Sequence, residues 1–302
     1  MICGIIDMGS NTIRMSIYNT DHPGVHQLIH KKETAELSAY VKKGTLSKAG
    51  MEKACDVLRQ FQNILANFGV ADFYVFATAS LRNINNTQEA VSYLREQTGI
   101  SVDVLSGEEE ARLDFVGVSQ AAQLDNGVLV DIGGGSTEIV EVQNGTILLA
   151  SSLPVGCLNL YLNYVRAFFP RQSEYHAIRQ DVKGRLMDTI HLQGAGSDLL
   201  YGVGGTVRTA LKIHNLMFDQ PSGNREFSYE NLCQMIQMLR KSDRFALKTI
   251  LRTAPDRVST LLPGLIVLKT VARHCRSSRI LVSSFGIREG YLYDRVLGGT
   301  RQ

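Results

Sequence analysis

GIIDMGSNTIRMSIY, residues 4–18, runs from an apolar strand pattern into a polar knot and back into strand pattern, and VLVDIGGGSTEIVEV at 128–142 repeats that outline. Laying Asp7 on Asp131, an offset of 124 residues, pairs strand, Asp-x-Gly, small polar residues and strand in both halves. Self-similarity at one offset marks a duplicated unit, so two similar domains are expected. If they face one another, their two loops meet across one cleft. A Gly-rich turn between strands bares successive backbone N–H groups and can cradle phosphate oxygens. The candidates are Gly9, Ser10, Asn11 and Thr12 in the first turn and Gly133, Gly134, Gly135 and Ser136 in the second. An ionised aspartate only accepts hydrogen bonds, so Asp7 and Asp131 suit a magnesium ion held beside phosphates, through water. Taken singly, each segment also reads as a tight hairpin. Neither fits GxxxxGK[ST], and each leads into a strand where that motif needs a helix.

Outward from these loops, apolar alternation and helix-start signals give strands near 2–6, 13–18 and 25–30, then a helix near 47–68 introduced by Ser47. A strand at 73–77, a helix near 87–97, a strand at 101–105 and a helix near 107–119 complete the first half. The second half repeats the scheme with strands near 127–131, 137–142 and 145–151 and helices across 157–191. A strand at 199–203, a helix after Gly205, helices through 228–275, a strand at 279–284 and a helix at 287–297 follow. Both halves read as α/β, with the boundary placed so that the domains are 1–124 and 125–302.

A length of 302 residues agrees with two domains at about 150 residues each. No apolar run approaches the roughly 18 residues of a membrane span, and the first residues lack the order of a signal peptide. Five scattered cysteines without a CxxC pair argue against a disulfide framework or a zinc site, and a reducing cytoplasm is expected. A net charge of +3 is too small for wholesale nucleic-acid binding but leaves room for a local basic cleft.

Several further residues invite chemistry. YGVGGTVRTAL at 201–211 has strand–turn–helix order and sets Gly204, Gly205 and Thr206 at a helix N-terminus, a ready anion site that is also an ordinary connection. VSSFGIREGYL at 282–292 reads as a turn into a helix with Arg288 and Glu289 on its solvated face. LSGEEEARLDFVGV at 105–118 opens a helix. There Ser106 with Glu109 fits a capping box and Glu108 suits the helix dipole, while Glu110, four residues before Asp114, has no such role. Exposed glutamates are common, and on the residues alone Glu110 reads as a surface carboxylate. Glu138 follows the second loop directly and would face the same phosphates and metal. Among the basic residues, Lys31, Lys32, Lys42, Lys43 and Lys48 read as a solvated face. Arg208 follows the third glycine cluster, and Arg82 stands at the carboxyl end of a strand, where α/β sheets gather ligands.

DMGSNTIR at 7–14, TASLRN at 78–83, SGEEEARL at 106–113, DIGGGSTE at 131–138, LPVGCLNL at 153–160, GVGGT at 202–206 and FGIREG at 285–290 fall in a familiar order. In them the chain resembles the exopolyphosphatase/guanosine pentaphosphate phosphohydrolase family over essentially its whole length. The resemblance implies two actin-like (ribonuclease H-like) domains of the acetate and sugar kinase/Hsp70/actin superfamily with an interdomain cleft. It implies removal of the terminal phosphate from polyphosphate or pppGpp with Mg2+, or Mn2+ as the alternative ion, and a homodimer, while the charge and hydropathy above lead to no nucleic acid or membrane partner and the cysteines to a cytoplasmic protein. By matching motif, Glu110 corresponds to the catalytic base, which reverses the surface reading. Glu138 corresponds to a second catalytic carboxylate, Asp131 to a metal-associated aspartate and Arg82 to a phosphate-binding arginine. The chain looks like the short two-domain form, without the C-terminal helical region of longer members. Asn159 stands where the family often has arginine, and the basic segment at 31–48 departs from its usual Arg and Gly. The rival expectations are a small-molecule kinase of the same superfamily and a non-catalytic sensor of polyphosphate or an alarmone.

Overall fold

The computed structural model describes residues 1–21, 24–192 and 197–298. Its contacts gather into two units, Met1–Ser106 and Gly107–Gln302.

The first unit opens with β1 (Ile2–Met8), β2 (Thr12–Asn19) and β3 (His26–Thr34), continues through the small hairpin β4 (Val41–Lys42) and β5 (Thr45–Leu46), and reaches helix α1 (Lys48–Asn67). Then come β6 (Phe73–Ala77), the single-turn α2 (Ala79–Arg82), α3 (Thr87–Thr98) and β7 (Asp103–Val104). The sheet has the order β3-β2-β1-β6-β7, antiparallel across the first three strands and parallel from β1 through β7. Central β1 is buried at every residue after its first, as its near-continuous apolar run requires. Helix α1 covers the sheet with Met51, Ala54, Cys55, Leu58, Phe61 and Leu65, whose three- and four-residue spacing lines one face. They pack with Ile6, Met8, Ile13 and Met15 in one core.

The second unit starts with α4 (Gly107–Ala121), followed by β8 (Gly127–Ile132), β9 (Thr137–Gln143), β10 (Thr146–Leu153), α5 (Cys157–Tyr164) and α6 (Gln172–Thr189). It continues through β11 (Leu199–Val203), α7 (Gly204–Met217), β12 (Glu226–Ser228), α8 (Tyr229–Lys241), α9 (Asp243–Thr253), α10 (Leu261–His274), β13 (Arg279–Val282) and α11 (Ile287–Tyr291), which runs on into a π-helical turn at Leu292–Leu297. Its sheet order is β10-β9-β8-β11-β13-β12. Apart from edge strand β12, this is the order of the first sheet with the same strand directions. Both units therefore have the mixed-sheet build of actin-like domains. Helix α10 is apolar nearly all round and lies in the core, with Leu261, Leu265, Ile266, Leu268 and Val271 at most 1% exposed.

Helix α4 packs on β9, β10 and α11, and so is grouped with the second unit. The sequence reading ended the first domain after this helix. Its crossing with α11 is a backbone-to-backbone contact: a Cβ on Gly290 would lie 1.8 Å from the Leu113 carbonyl oxygen, and one on Gly117 2.2 Å from that of Gly286. No helix among the described residues is long and apolar enough to cross a membrane.

Candidate active site

In the second unit the loop between β8 and β9 is tied by the Gly133 N–H donating to the Ser136 carbonyl at 2.9 Å. The first turn of α5 then engages the loop's other carbonyls. Cys157 N–H donates to Gly133 O at 2.9 Å and Leu158 N–H to Gly134 O at 3.0 Å. The Asn159 side-chain amide donates to Gly135 O at 3.2 Å. Because a trans peptide points its C=O and N–H in opposite directions, fixing these three carbonyls toward α5 turns the N–H groups of Gly134, Gly135 and Ser136 the other way. That is the arrangement of an anion nest. Close approach is what Gly156 supplies, since a Cβ there would stand 2.2 Å from the carbonyl carbon of Gly134.

The carboxylates gather around this loop. Asp131 and Glu138 are directly paired across the β8–β9 hairpin, so both side chains leave the same face of the sheet. Glu138 is 1% exposed, and the Ser152 hydroxyl of β10 donates to its Oε1 at 2.7 Å. A Cβ on Gly107 would be 2.4 Å from that of Ser152. This contact seats the first turn of α4 against the serine that holds Glu138. Glu110, on the turn so placed, is 8% exposed, which corrects the surface reading of its sequence. Glu109, one residue earlier, does face solvent and pairs with Arg295 at 2.9 Å.

At the start of α7, Gly204 has φ +79°, and a Cβ on it would lie 2.0 Å from Asp131 Oδ1. Thr206 is fully buried, and its hydroxyl donates to the Ile132 carbonyl at 2.9 Å, pinning α7 to the end of β8. Three arginines converge here. Arg257 Nη1 lies 3.4 Å from Thr206 Oγ1, and Arg208 Nη1 donates to Ser284 O at 3.4 Å. Burial, and then the neighbouring Arg288 cation, pull the Arg208 guanidinium below its ordinary range, while Asp131 acts in the opposite sense. A guanidinium stays charged at neutral pH even so. Arg288 and Glu289 are 8% and 4% exposed, which overturns the solvated-helix expectation for both. Glu289 Oε2 accepts the Gly286 N–H at 2.9 Å and so holds the turn that starts α11. The sequence reading singled out Arg208 but missed Arg257 and the burial of Arg288. The REG of FGIREG was the available signal, because Gly290 is needed where α11 crosses α4.

The first unit builds the same loop. Gly9 N–H donates to Thr12 O at 3.1 Å, the bond that the 124-residue offset carries onto Gly133 and Ser136. The carbonyls of Ser10 and Asn11 are taken by the N–H groups of Ser38 and of Ala35 and Glu36. Ser80 of α2 donates its hydroxyl to Met8 O, as Thr206 does to Ile132 O. Ser10 and Thr12 are each 5% exposed. One position differs in charge. The offset carries Arg14 onto Glu138, so buried Asp7 pairs with Arg14 at 3.8 Å where Asp131 faces a second carboxylate. Arg82 lies on α2 just past the strand and donates to Leu105 O at 3.2 Å.

Among the described residues no group of three or more His, Cys, Asp or Glu side chains is arranged to hold a metal. The Asp131–Glu138 pair offers oxygen donors from two carboxylates, the donor set of a magnesium ion that keeps water and substrate phosphates as its other ligands. Cys157 and Cys275 are buried and burial pushes both thiols up, Cys275 to about 12.

The Ppx/GppA phosphatase family is matched over residues 16–298. Exopolyphosphatase 1 of Mycobacterium tuberculosis is 25% identical over 305 residues, covering 98% of this chain and 88% of its own. A putative exopolyphosphatase of Haemophilus influenzae is 24% identical over 293 residues, with 96% and 90% covered. Among solved structures, an exopolyphosphatase from Cytophaga hutchinsonii superposes with a TM-score of 0.84 at 22% identity over 99% of this chain and 98% of the other. The Aquifex aeolicus member of the Ppx/GppA family does so with 0.81 at 22% identity over 100% and 99%.

Proposed function

The chain belongs to the Ppx/GppA phosphatase family, and from that premise we propose that it is a magnesium-dependent exopolyphosphatase that releases orthophosphate from the end of polyphosphate. The observation that carries this reading is the buried Glu138, fastened by Ser152 and paired with Asp131 beside a loop whose carbonyls are all engaged on one side. The outward amides of Gly134, Gly135 and Ser136, with Gly204 and Gly205, hold phosphate oxygens. The loop at 9–12 and Arg82 of the first unit serve as a second phosphate-binding set, with Asp7, paired with Arg14, placed to face a metal ion and not the phosphates themselves. Arg208, Arg257 and Arg288 balance the negative charge around Asp131. Glu110 accepts the proton of the attacking water as its oxygen bonds to the terminal phosphorus, the bridging P–O bond breaks, and the shortened chain leaves with the electron pair. Glu138 and Asp131 would hold Mg2+, which supplies neutralisation of charge on the phosphates when bound.

pppGpp ends in the same kind of anhydride and is the second substrate on this reading. The test is phosphate release with Mg2+ from long polyphosphate, short polyphosphate, pppGpp and ATP in parallel. Release from polyphosphate that is lost in Glu110→Gln supports the proposal. Transfer from ATP to a sugar without release to water identifies a kinase, and tight binding without turnover identifies a sensor; either outcome overturns it.

A further inference from the structure

Away from the loops, the second unit has a cavity of about 290 Å3 between α6 and α10 that is lined by Arg179 and Lys183 of α6 and by Lys269, Arg273 and His274 of α10. No carboxylate lines it. On each helix the two long cations are four residues apart, which places them on one face as mutually repulsive neighbours, and α6 and α10 pack side by side. Some surface arginines of the unit are ion-paired. Arg185, also on α6, meets Asp181 at 2.7 Å, and Arg279 meets Glu226 at 2.7 Å. Arg179, Lys183, Lys269 and Arg273 have no ion pair among the described residues.

The remaining wall is formed by Leu186, Met187, Tyr229 and Thr270. An adjoining cavity of about 530 Å3 shares Lys269 and adds Arg240 and Lys241 against the one acid Glu230. Arg240 Nε is buried there without an acceptor among the described residues. Four cations without an ion pair converge on a concave site, with two more beside it, and one ligand of several negative charges would relieve their mutual repulsion.

We infer that this face is a second anion site, separate from the phosphate loops, for a compact ligand bearing a short phosphate chain. The separation follows from α10 itself. A Cβ on Gly264 would lie 2.5 Å from the Thr206 side chain, whereas Arg273 stands nine residues on, or ~14 Å along the axis at 1.5 Å per residue. An inorganic oligophosphate and a nucleoside polyphosphate share the chemistry the cations recognise, and Tyr229 with Met187 offers a surface for a base. The inference does not rest on the catalytic reading, because none of these residues belongs to it.

The protein carries its own reporter. Cys233 lines the adjoining cavity, is half-buried, and stands four residues after Tyr229 on the same helix. Its alkylation by iodoacetamide is followed by mass spectrometry on the full chain in EDTA. Three additions are compared: tripolyphosphate, ADP, and sodium chloride at matched ionic strength. Either phosphate ligand is expected to slow alkylation at least threefold where sodium chloride does not, and the better protector identifies the source. K183E/R273E should abolish the protection and leave phosphate release within twofold of the parent. The milder K183Q/R273Q, with a circular dichroism spectrum matching the parent, should weaken it. Equal rates with and without both ligands overturn the inference, as does protection that survives in K183E/R273E. Loss of the catalytic reading would instead show in the release assay and leave the protection unchanged.

Discussion

On the proposed mechanism Glu110→Gln keeps the size of the side chain and removes the acceptor for the water proton, so kcat should fall by about 10²–10⁴ while KM stays within about threefold. Ser152→Ala asks a narrower question. Glu138 would lose the hydroxyl that fixes it at 2.7 Å, and a hydrogen bond to a charged group contributes ~1.5–3 kcal/mol. A loss of about tenfold or more in kcat/KM with an unchanged circular dichroism spectrum is expected; full activity would show that Glu138 needs no such support. Gly204→Ala tests backbone rather than chemistry. Its φ of +79° and the Asp131 oxygen 2.0 Å from a new Cβ both resist the substitution, which should cost more than about 1 kcal/mol in urea unfolding. The sequence showed which glycines could line the loops, but not that Glu110 is buried. Its exclusion from solvent depends on Gly107 resting against Ser152, a contact between residues 45 positions apart that no local pattern records.

The α4–α11 crossing carries the position of Glu110. A methyl group on Gly290 cannot fit 1.8 Å from the Leu113 carbonyl, so Gly290→Ala should force the helices apart. Thermal unfolding should show a loss of ~1–3 kcal/mol, with kcat falling because α4 moves; a variant as stable and active as the parent would refute that role. The same two segments are joined by Arg112 and Asp294, two hydrogen bonds of 2.9 Å each. The Arg112 guanidinium holds the Asp294 carboxyl below the ordinary carboxylate range, chiefly by hydrogen bonding. A folded-state depression of this kind stabilises above the unfolded value of about 3.9 and is lost as pH falls through the folded value. The partners are 40% and 25% exposed, so screening limits the pair to no more than ~1 kcal/mol. Asp294→Asn should lower Tm by about 2 °C at pH 7, and the gap from the parent should close as the pH drops below about 4. The longer strands and helices were legible from apolar spacing. Edge strand β12 and the helical turn α2 were not, because three and four residues are too few to show a period.

At the scale of the chain, the duplication was legible because it is written in the loops themselves, and the structure extends it to the Gly9–Thr12 and Gly133–Ser136 hydrogen bonds. The placement of α4 was not, since a helix following one half and preceding the other carries no mark of which sheet it will cover. The two units keep separate cores, and the cysteines report on each. Cys3 and Cys55 are buried in the first unit, and Cys157 and Cys275 in the second, while Cys233 is half-exposed. Burial raises the Cys3 thiol to about 11 and lifts the other three above their ordinary value. Reaction needs the thiolate, so in native buffer Cys233 alone should react quickly with a disulfide reagent. Brief labelling pulses across a urea series should then expose Cys3 and Cys55 together and Cys157 with Cys275 together, at two distinct midpoints, because each pair opens with its own core. If all four become reactive at one midpoint, the units unfold as a single cooperative body.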